Sequence, residues 1–230
     1  MNILWLGHGS FRIDIEDQVL LIDPWVHGNP MMPEDRIEEA LQGATQILVT
    51  HGHSDHTADL VTVSQKTGAP VSGMVELAGM LHGQGAVEGH AFNKGGTVSF
   101  GGVRVTMVPA SHSSSLTVDG KPHYAGMETG FMIAGEGHVI YFSGDTTLMA
   151  DMGWMGAYHK PDIGILSCGG YYTMDMAAAA YAAKTWFDFK TVIPGHYRTF
   201  PALEQSAAAL AEALPGVRVV EPQVLDPITI

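Results

Sequence analysis

The sequence predicts an α/β fold, a four-layer αββα sandwich with helices outside two central sheets. Three observations predict it. Short β-rich apolar runs are separated by Gly, Pro and Asp, helical stretches fall between them, and strands precede helices in both halves of the chain. Helices packed outside two sheets would bury such strands on both faces.

The first segment, MNILWLGHGSFRIDIED, opens a strand at residues 2–6 and moves straight into alternating strand-like positions. Further strands are expected at 19–22, 47–50, 103–109, 138–142, 163–166 and 191–194. Helices are expected at 33–41, 57–67, 74–81, 174–186 and 202–214, the last two rich in strong helix formers. No low-complexity linker divides the chain, so residues 1–230 read as one domain, long enough to bury a sizeable core.

Composition narrows the function. With 11 Lys and Arg against 24 Asp and Glu, the formal charge is −13, and no basic run could track a phosphate backbone. Nucleic acid is therefore not an expected partner. The opening segment lacks a basic leader and a long apolar stretch, so a soluble, cytoplasmic protein without membrane insertion is expected. One cysteine, Cys168, excludes an internal disulfide framework, while 12 histidines point to nitrogen and oxygen ligation.

The chemistry concentrates after the apolar run ILVT, in His51-Gly52-His53-Ser54-Asp55-His56. In extended backbone, positions two apart share a side, so His51 and His53 can grip one ion together. Asp55 and His56, at the start of the next helix, turn toward a neighbouring point, and Gly52 eases the bend. A chance cluster in a polar loop is the bland alternative. Three imidazoles and a carboxylate packed directly behind a buried strand argue against it. Three later strand ends repeat one design, in which a small residue precedes a metal-competent side chain: His112, Asp145 and His196. Singly, each of these reads as a structural histidine or a turn former. Together they complete a ligand set.

HxHxDH followed by a single His, a single Asp and a single His resembles the metallo-β-lactamase superfamily in order and spacing over most of the chain. The resemblance implies that His51, His53 and His112 hold one metal, that Asp55, His56 and His196 hold a second, and that Asp145 bridges them. GHGSF, Asp23-Pro24, Gly28-Asn29-Pro30, GGYYTM and IPGHYRTFPAL are similar to a narrower group of small bacterial and archaeal metal-dependent hydrolases. That group is similar to ascorbate-phosphate lactonases and to N-acylphosphatidylethanolamine phospholipase D. Gly195 and Arg198 depart from the expected pattern and would reshape the pocket.

Two divalent ions about 3.5–4 Å apart can share a water, lower its pKa toward ~7 and present hydroxide to a carbonyl or phosphoryl centre. The mixed imidazole and carboxylate set suits Zn2+ first, then Mn2+, Fe2+ or Ni2+. The function implied is hydrolysis of a small ester, lactone or phosphodiester, with Asp55 and Asp145 as the catalytic carboxylates. Two alternatives use the same scaffold. One is a non-hydrolytic metal-binding or redox protein, against which stands His53 where diiron relatives carry glutamate; the other is a nuclease, against which stands the acidic composition.

Asp23 and His8 are the candidates for orienting ligating imidazoles, since such rings pass their other N–H to a carboxylate or carbonyl. Tyr197 and Tyr172 are candidate donors to a developing oxyanion, and Arg198 is a candidate anion clamp, each against plain packing or solvation. Cys168 reads as a buried residue rather than a nucleophile. His82, His90, His123, His138 and His159 read as solvated. The expected partner is a small-molecule substrate, and apolar loops at 30–33 and 171–176 offer surfaces for a second subunit.

Overall fold

The computed structural model describes residues 1–230. Strands β1 (Asn2–Gly7), β2 (Ser10–Ile15) and β3 (Gln18–Ile22) form an antiparallel meander. In β2, Phe11, Ile13 and Ile15 are buried while Arg12 and Asp14 occupy the less buried face, the period-two pattern of a strand. α1 (Ile37–Leu41) then leads to β4 (Gln46–Val49), which pairs in parallel with β3. α2 (Ser54–Thr57) and α3 (Leu60–Thr67) carry the chain to β5 (Val71–Met74), and α4 (Val75–Gly83) carries it to β6 (Glu88–Phe92). These are crossovers of the kind parallel neighbours require.

The second sheet repeats the plan. β7 (Thr97–Phe100) and β8 (Val103–Pro109) precede a separate hairpin of β9 (Ser115–Val118) and β10 (Lys121–Tyr124). β11 (Thr129–Gly135) and β12 (His138–Phe142) complete the antiparallel part. α5 (Met152–His159), β13 (Ile163–Ser167), α6 (Met176–Trp186), β14 (Thr191–Gly195), α7 (Ala208–Ala213) and β15 (Arg218–Val219) add the parallel part. β16 (Ile228–Thr229) returns to pair with β1. Two seven-stranded sheets result, flanked by helices, as the sequence predicts. One cluster of 60 buried residues runs through both sheets and the helices packed on them, with Phe11 of β2 meeting Phe142 of β12 edge-on at 5.8 Å.

Several elements differ from expectation for identifiable reasons. The helix expected at 57–67 breaks between α2 and α3, where the Asp59 carboxylate accepts from the backbone N–H groups of Val26 and His27 at 2.8 and 2.6 Å. Only 208–213 of the stretch 202–214 is helical, because the Gln205 side chain donates to the carbonyls of Phe200 and Leu203 and holds the preceding residues in a turn. α5 escapes a propensity reading because it contains Gly153 and Gly156. Gly156 lies directly against the Trp186 backbone of α6, leaving no room for a side chain. α6 begins where Asp175 caps it by accepting from Ala178 N–H at 2.7 Å. No helix is long and apolar enough to cross a membrane.

Candidate metal centre

Strand ends from both sheets meet at one place. β1 delivers His8, β3 Asp23, β4 and α2 the row His51 to His56, while the ends of β8, β12 and β14 deliver His112, Asp145 and His196. The sheets are joined there by hydrogen bonds. Thr129 donates from both N–H and Oγ1 to the Thr50 carbonyl at 3.1 and 3.0 Å, and His196 N–H donates to the His8 carbonyl at 2.9 Å. His8, Asp23 and His196 have φ of 53°, 48° and 54°, the left-handed region that non-glycine residues seldom adopt. Such strain gathers where surrounding structure must aim a side chain.

Asp145 is the geometric centre of the cluster. Its Oδ2 lies 3.0 Å from His196 Nε2, 3.4 Å from His56 Nε2, 3.8 Å from His112 Nε2 and 3.9 Å from His51 Nε2. Asp55 Oδ2 lies 3.5 Å from His196 Nε2 and 3.6 Å from His56 Nε2. His51 Nε2 faces His53 Nδ1 at 3.0 Å, and His112 joins these two in a group of potential ligand atoms.

A buried hydrogen-bond chain aims the rings. Asp23 Oδ1 accepts from Thr50 N–H at 2.8 Å, and its Oδ2 accepts from the Thr50 hydroxyl at 2.5 Å and from His56 Nδ1 at 2.8 Å. Since the Thr50 proton is committed to Asp23, Thr50 Oγ1 accepts from His51 Nδ1–H at 3.0 Å. Both rings therefore turn Nε2 toward Asp145, and His56 Nε2 is buried without a hydrogen-bond partner. On the other side, His8 Nε2–H donates to Asp55 Oδ2 at 2.8 Å while its Nδ1 takes the Thr199 hydroxyl at 2.9 Å.

The charges balance in a way that favours a cation. Burial alone would raise Asp145, but His196 and His56 outweigh it and hold the carboxyl well below the usual range. Burial likewise opposes charge on His196, and Asp145 overcomes it, pushing the ring up to about 9. Burial lowers His8 to about 4 against its bond to Asp55, so this ring is a neutral donor. His51 is depressed by burial and by His56. No lysine or arginine lines the cleft, so two carboxylates and convergent imidazole nitrogens make a donor set suited to a divalent metal.

A cleft of about 520 Å³ opens onto the cluster, walled by Trp25, Ala58, Tyr172 and Phe200 beside Ser54 and Ser113. Of the candidate substrate contacts, Tyr172 lines the cleft. Tyr197 does not: its ring is buried against Trp5 at 5.4 Å, drawn into the core by the aromatic packing available there. Arg198 is also displaced, because its left-handed φ of 66° sends the guanidinium over Trp5 at 5.7 Å, where Nη1 donates to the Pro222 carbonyl. Gly195 departs from the pattern because Phe11 occupies the side-chain space.

Gly52 serves differently from expected. Its φ is ordinary, and a Cβ there would come within 2.8 Å of the Ser115 backbone, so glycine permits the close approach of β9. Cys168 is buried, and burial pushes its thiol up to about 12. His138 is paired with Asp162 at 2.6 Å and His82 with the Val71 carbonyl at 2.9 Å, rather than solvated. Met32, Met174 and Met176 of the apolar loops are core residues. Trp25, Thr50, Thr199 and Phe200 went unpredicted; a hydroxyl directly before His51 and a Trp directly after Asp23-Pro24 were the available signals.

The family model for the beta-lactamase superfamily domain matches residues 18–221. A UPF0173 metal-dependent hydrolase of Cereibacter sphaeroides is 64% identical over 230 residues, covering 100% of both chains. Another, from Paracoccus denitrificans, is 60% identical over 228 residues, 99% of each. Among solved structures, a metallo hydrolase from the archaeon Ignicoccus hospitalis superposes with a TM-score of 0.86 at 28% identity, over 99% of this chain and 97% of that one.

Proposed function

Since the chain belongs to the metallo-β-lactamase superfamily and is a metal-dependent hydrolase, we propose that it works with two divalent ions, zinc first, on a small ester, lactone or phosphodiester. The observation that carries this reading is Asp145 Oδ2 within 3.9 Å of nitrogens from four histidines. In this reading His51, His53 and His112 hold one ion, Asp55, His56 and His196 the other, and Asp145 touches both. When bound, such a pair supplies a hydroxide nucleophile near neutral pH and a Lewis acid for the substrate oxygen.

The chain's own residues supply the rest. Asp23, through Thr50 and directly, engages Nδ1 of His51 and His56 and so leaves their Nε2 atoms facing the ligand cluster. His8 fixes Asp55 by donating to Oδ2. Tyr172 lines the cleft wall, and this reading assigns its hydroxyl to charge developing on the substrate oxygen. The protein therefore needs no serine or cysteine nucleophile, consistent with the inert environment of Cys168.

The test is a screen of the metal-loaded protein on a γ-lactone, an aryl ester and bis(4-nitrophenyl) phosphate, with Asp145→Ala alongside. Turnover that scales with enzyme and vanishes in the variant supports the proposal. No turnover of any class by a protein carrying its metals would refute it.

A further inference from the structure

We propose that this cleft selects an uncharged carboxylic ester or lactone whose apolar group lies against a wall formed by Trp25 and Phe200. The proposal rests on the hydrolase reading above and narrows it. Trp25 and Phe200 come from loops after β3 and β14, and their rings lie 6.2 Å apart and near-parallel at 28°. His8 ties the pair to the ligand cluster: Trp25 meets its ring edge-on at 5.6 Å, Phe200 at 5.4 Å, and His196 packs on it at 3.9 Å.

The wall is preset rather than loose. Trp25 N–H donates to Ser10 Oγ at 3.1 Å and its carbonyl accepts from Asn29 Nδ2 at 3.0 Å, while the Phe200 carbonyl accepts from Gln205. An apolar group entering the cleft finds aromatic surface already in position, so little ordering opposes binding.

Charge gives the second half of the argument. The cleft contains the carboxylates Asp55 and Asp145 and no lysine or arginine, and Arg198 is spent over Trp5. An anionic tail lying along the wall, directed away from the ligand cluster, would lose its hydration and meet no cationic side chain. The overall charge of −13 also opposes the approach of anions. Hydrolysis of an ester balances without a co-reactant: water oxygen bonds to the acyl carbon, the acyl C–O bond breaks, and the departing alcohol leaves with a proton from that water.

The test compares phenyl hexanoate with monophenyl adipate, a matched pair in which a carboxylate replaces a terminal methyl. The metal-loaded protein is expected to prefer the hexanoate by about tenfold or more in kcat/KM, the scale on which one apolar subsite discriminates. Phe200 is 37% exposed, so Phe200→Lys should fold; it is expected to shift the preference toward the adipate by about tenfold, mainly through KM, with metal content by mass spectrometry unchanged. Trp25→Ala should raise KM for the hexanoate and flatten the ratio. Equal or faster cleavage of the adipate, or an unchanged ratio in Phe200→Lys, would overturn the inference. Turnover of bis(4-nitrophenyl) phosphate alone would overturn it and leave the hydrolase reading standing. Silence on these three substrates and on a γ-lactone from loaded protein would remove both.

Discussion

Asp23 Oδ2 accepts from His56 Nδ1 at 2.8 Å, and the same oxygen takes the Thr50 hydroxyl that in turn receives His51 Nδ1–H. One buried carboxylate thus sets the tautomers of two rings assigned to two different metal positions. Asp23→Asn is expected to keep the fold, since asparagine also tolerates the left-handed backbone there. It should weaken metal binding at both positions by about 10- to 100-fold, read by titration against a competing chelator. Unchanged affinity would show that Asp23 serves the fold alone.

His8 acts on one side only. Its contacts run to Asp55 and His196, so His8→Asn is expected to lower occupancy in the Asp55–His56–His196 group before the His51–His53–His112 group. Mass spectrometry of the purified variant should then show about half the metal of the parent protein, since loss of such a support costs about 10- to 100-fold in affinity at one of the two positions. Equal loss from both groups would contradict the assignment.

Metal should stabilise the fold, because the ligands are brought together only in the folded chain. Free zinc at about 100 times its Kd adds about 2.7 kcal/mol, a rise of several degrees in Tm for a chain of this size. Calorimetry before and after chelator treatment measures it. No shift would mean that ions do not bind the folded state in preference.

Gly52→Ala is expected to cost about 1–3 kcal/mol, the usual penalty for forcing backbone apart in packed surroundings. The added methyl would meet the Ser115 carbonyl carbon and oxygen, pressing β9 away from the ligand row. Denaturant unfolding reads the loss, and an unchanged midpoint would refute the close approach.

The thiol of Cys168 gives a pH test. Burial raises it to about 12, and since only the thiolate reacts, the group stays protonated and unreactive throughout the neutral and mildly alkaline range. Ellman's reagent at about pH 8 should leave the native protein unlabelled and label it fully in denaturant. Cys168→Ala is expected to retain metal and turnover. Rapid labelling of the native state would contradict the buried placement.

The two halves of the fold and the seven candidate ligands that the fold brings together were legible because their signals are local. Apolar runs end in a small residue and a ligand, and His51, His53, Asp55 and His56 are nearly contiguous. Asp23 was legible as an acid at a strand end, although its reach to both rings depends on the Thr50 hydroxyl, which only the folded register of β3 and β4 brings close. Tyr197 and Arg198 misled for a related reason. Adjacency to His196 in sequence does not fix direction, and with left-handed backbone at His196 and Arg198 the side chains of Tyr197 and Arg198 lie against Trp5. The Trp25–Phe200 wall was invisible because its two residues lie far apart in sequence and meet only across the joined sheets.

The central claim, a pair of metal ions around Asp145, is tested most directly by metal content per chain in the parent protein and in Asp145→Ala. About two ions per chain, lost from the variant and restored to the stripped parent by added zinc, is the predicted result. A parent protein that holds no metal and cannot be reloaded, or a variant that keeps both ions, would contradict it.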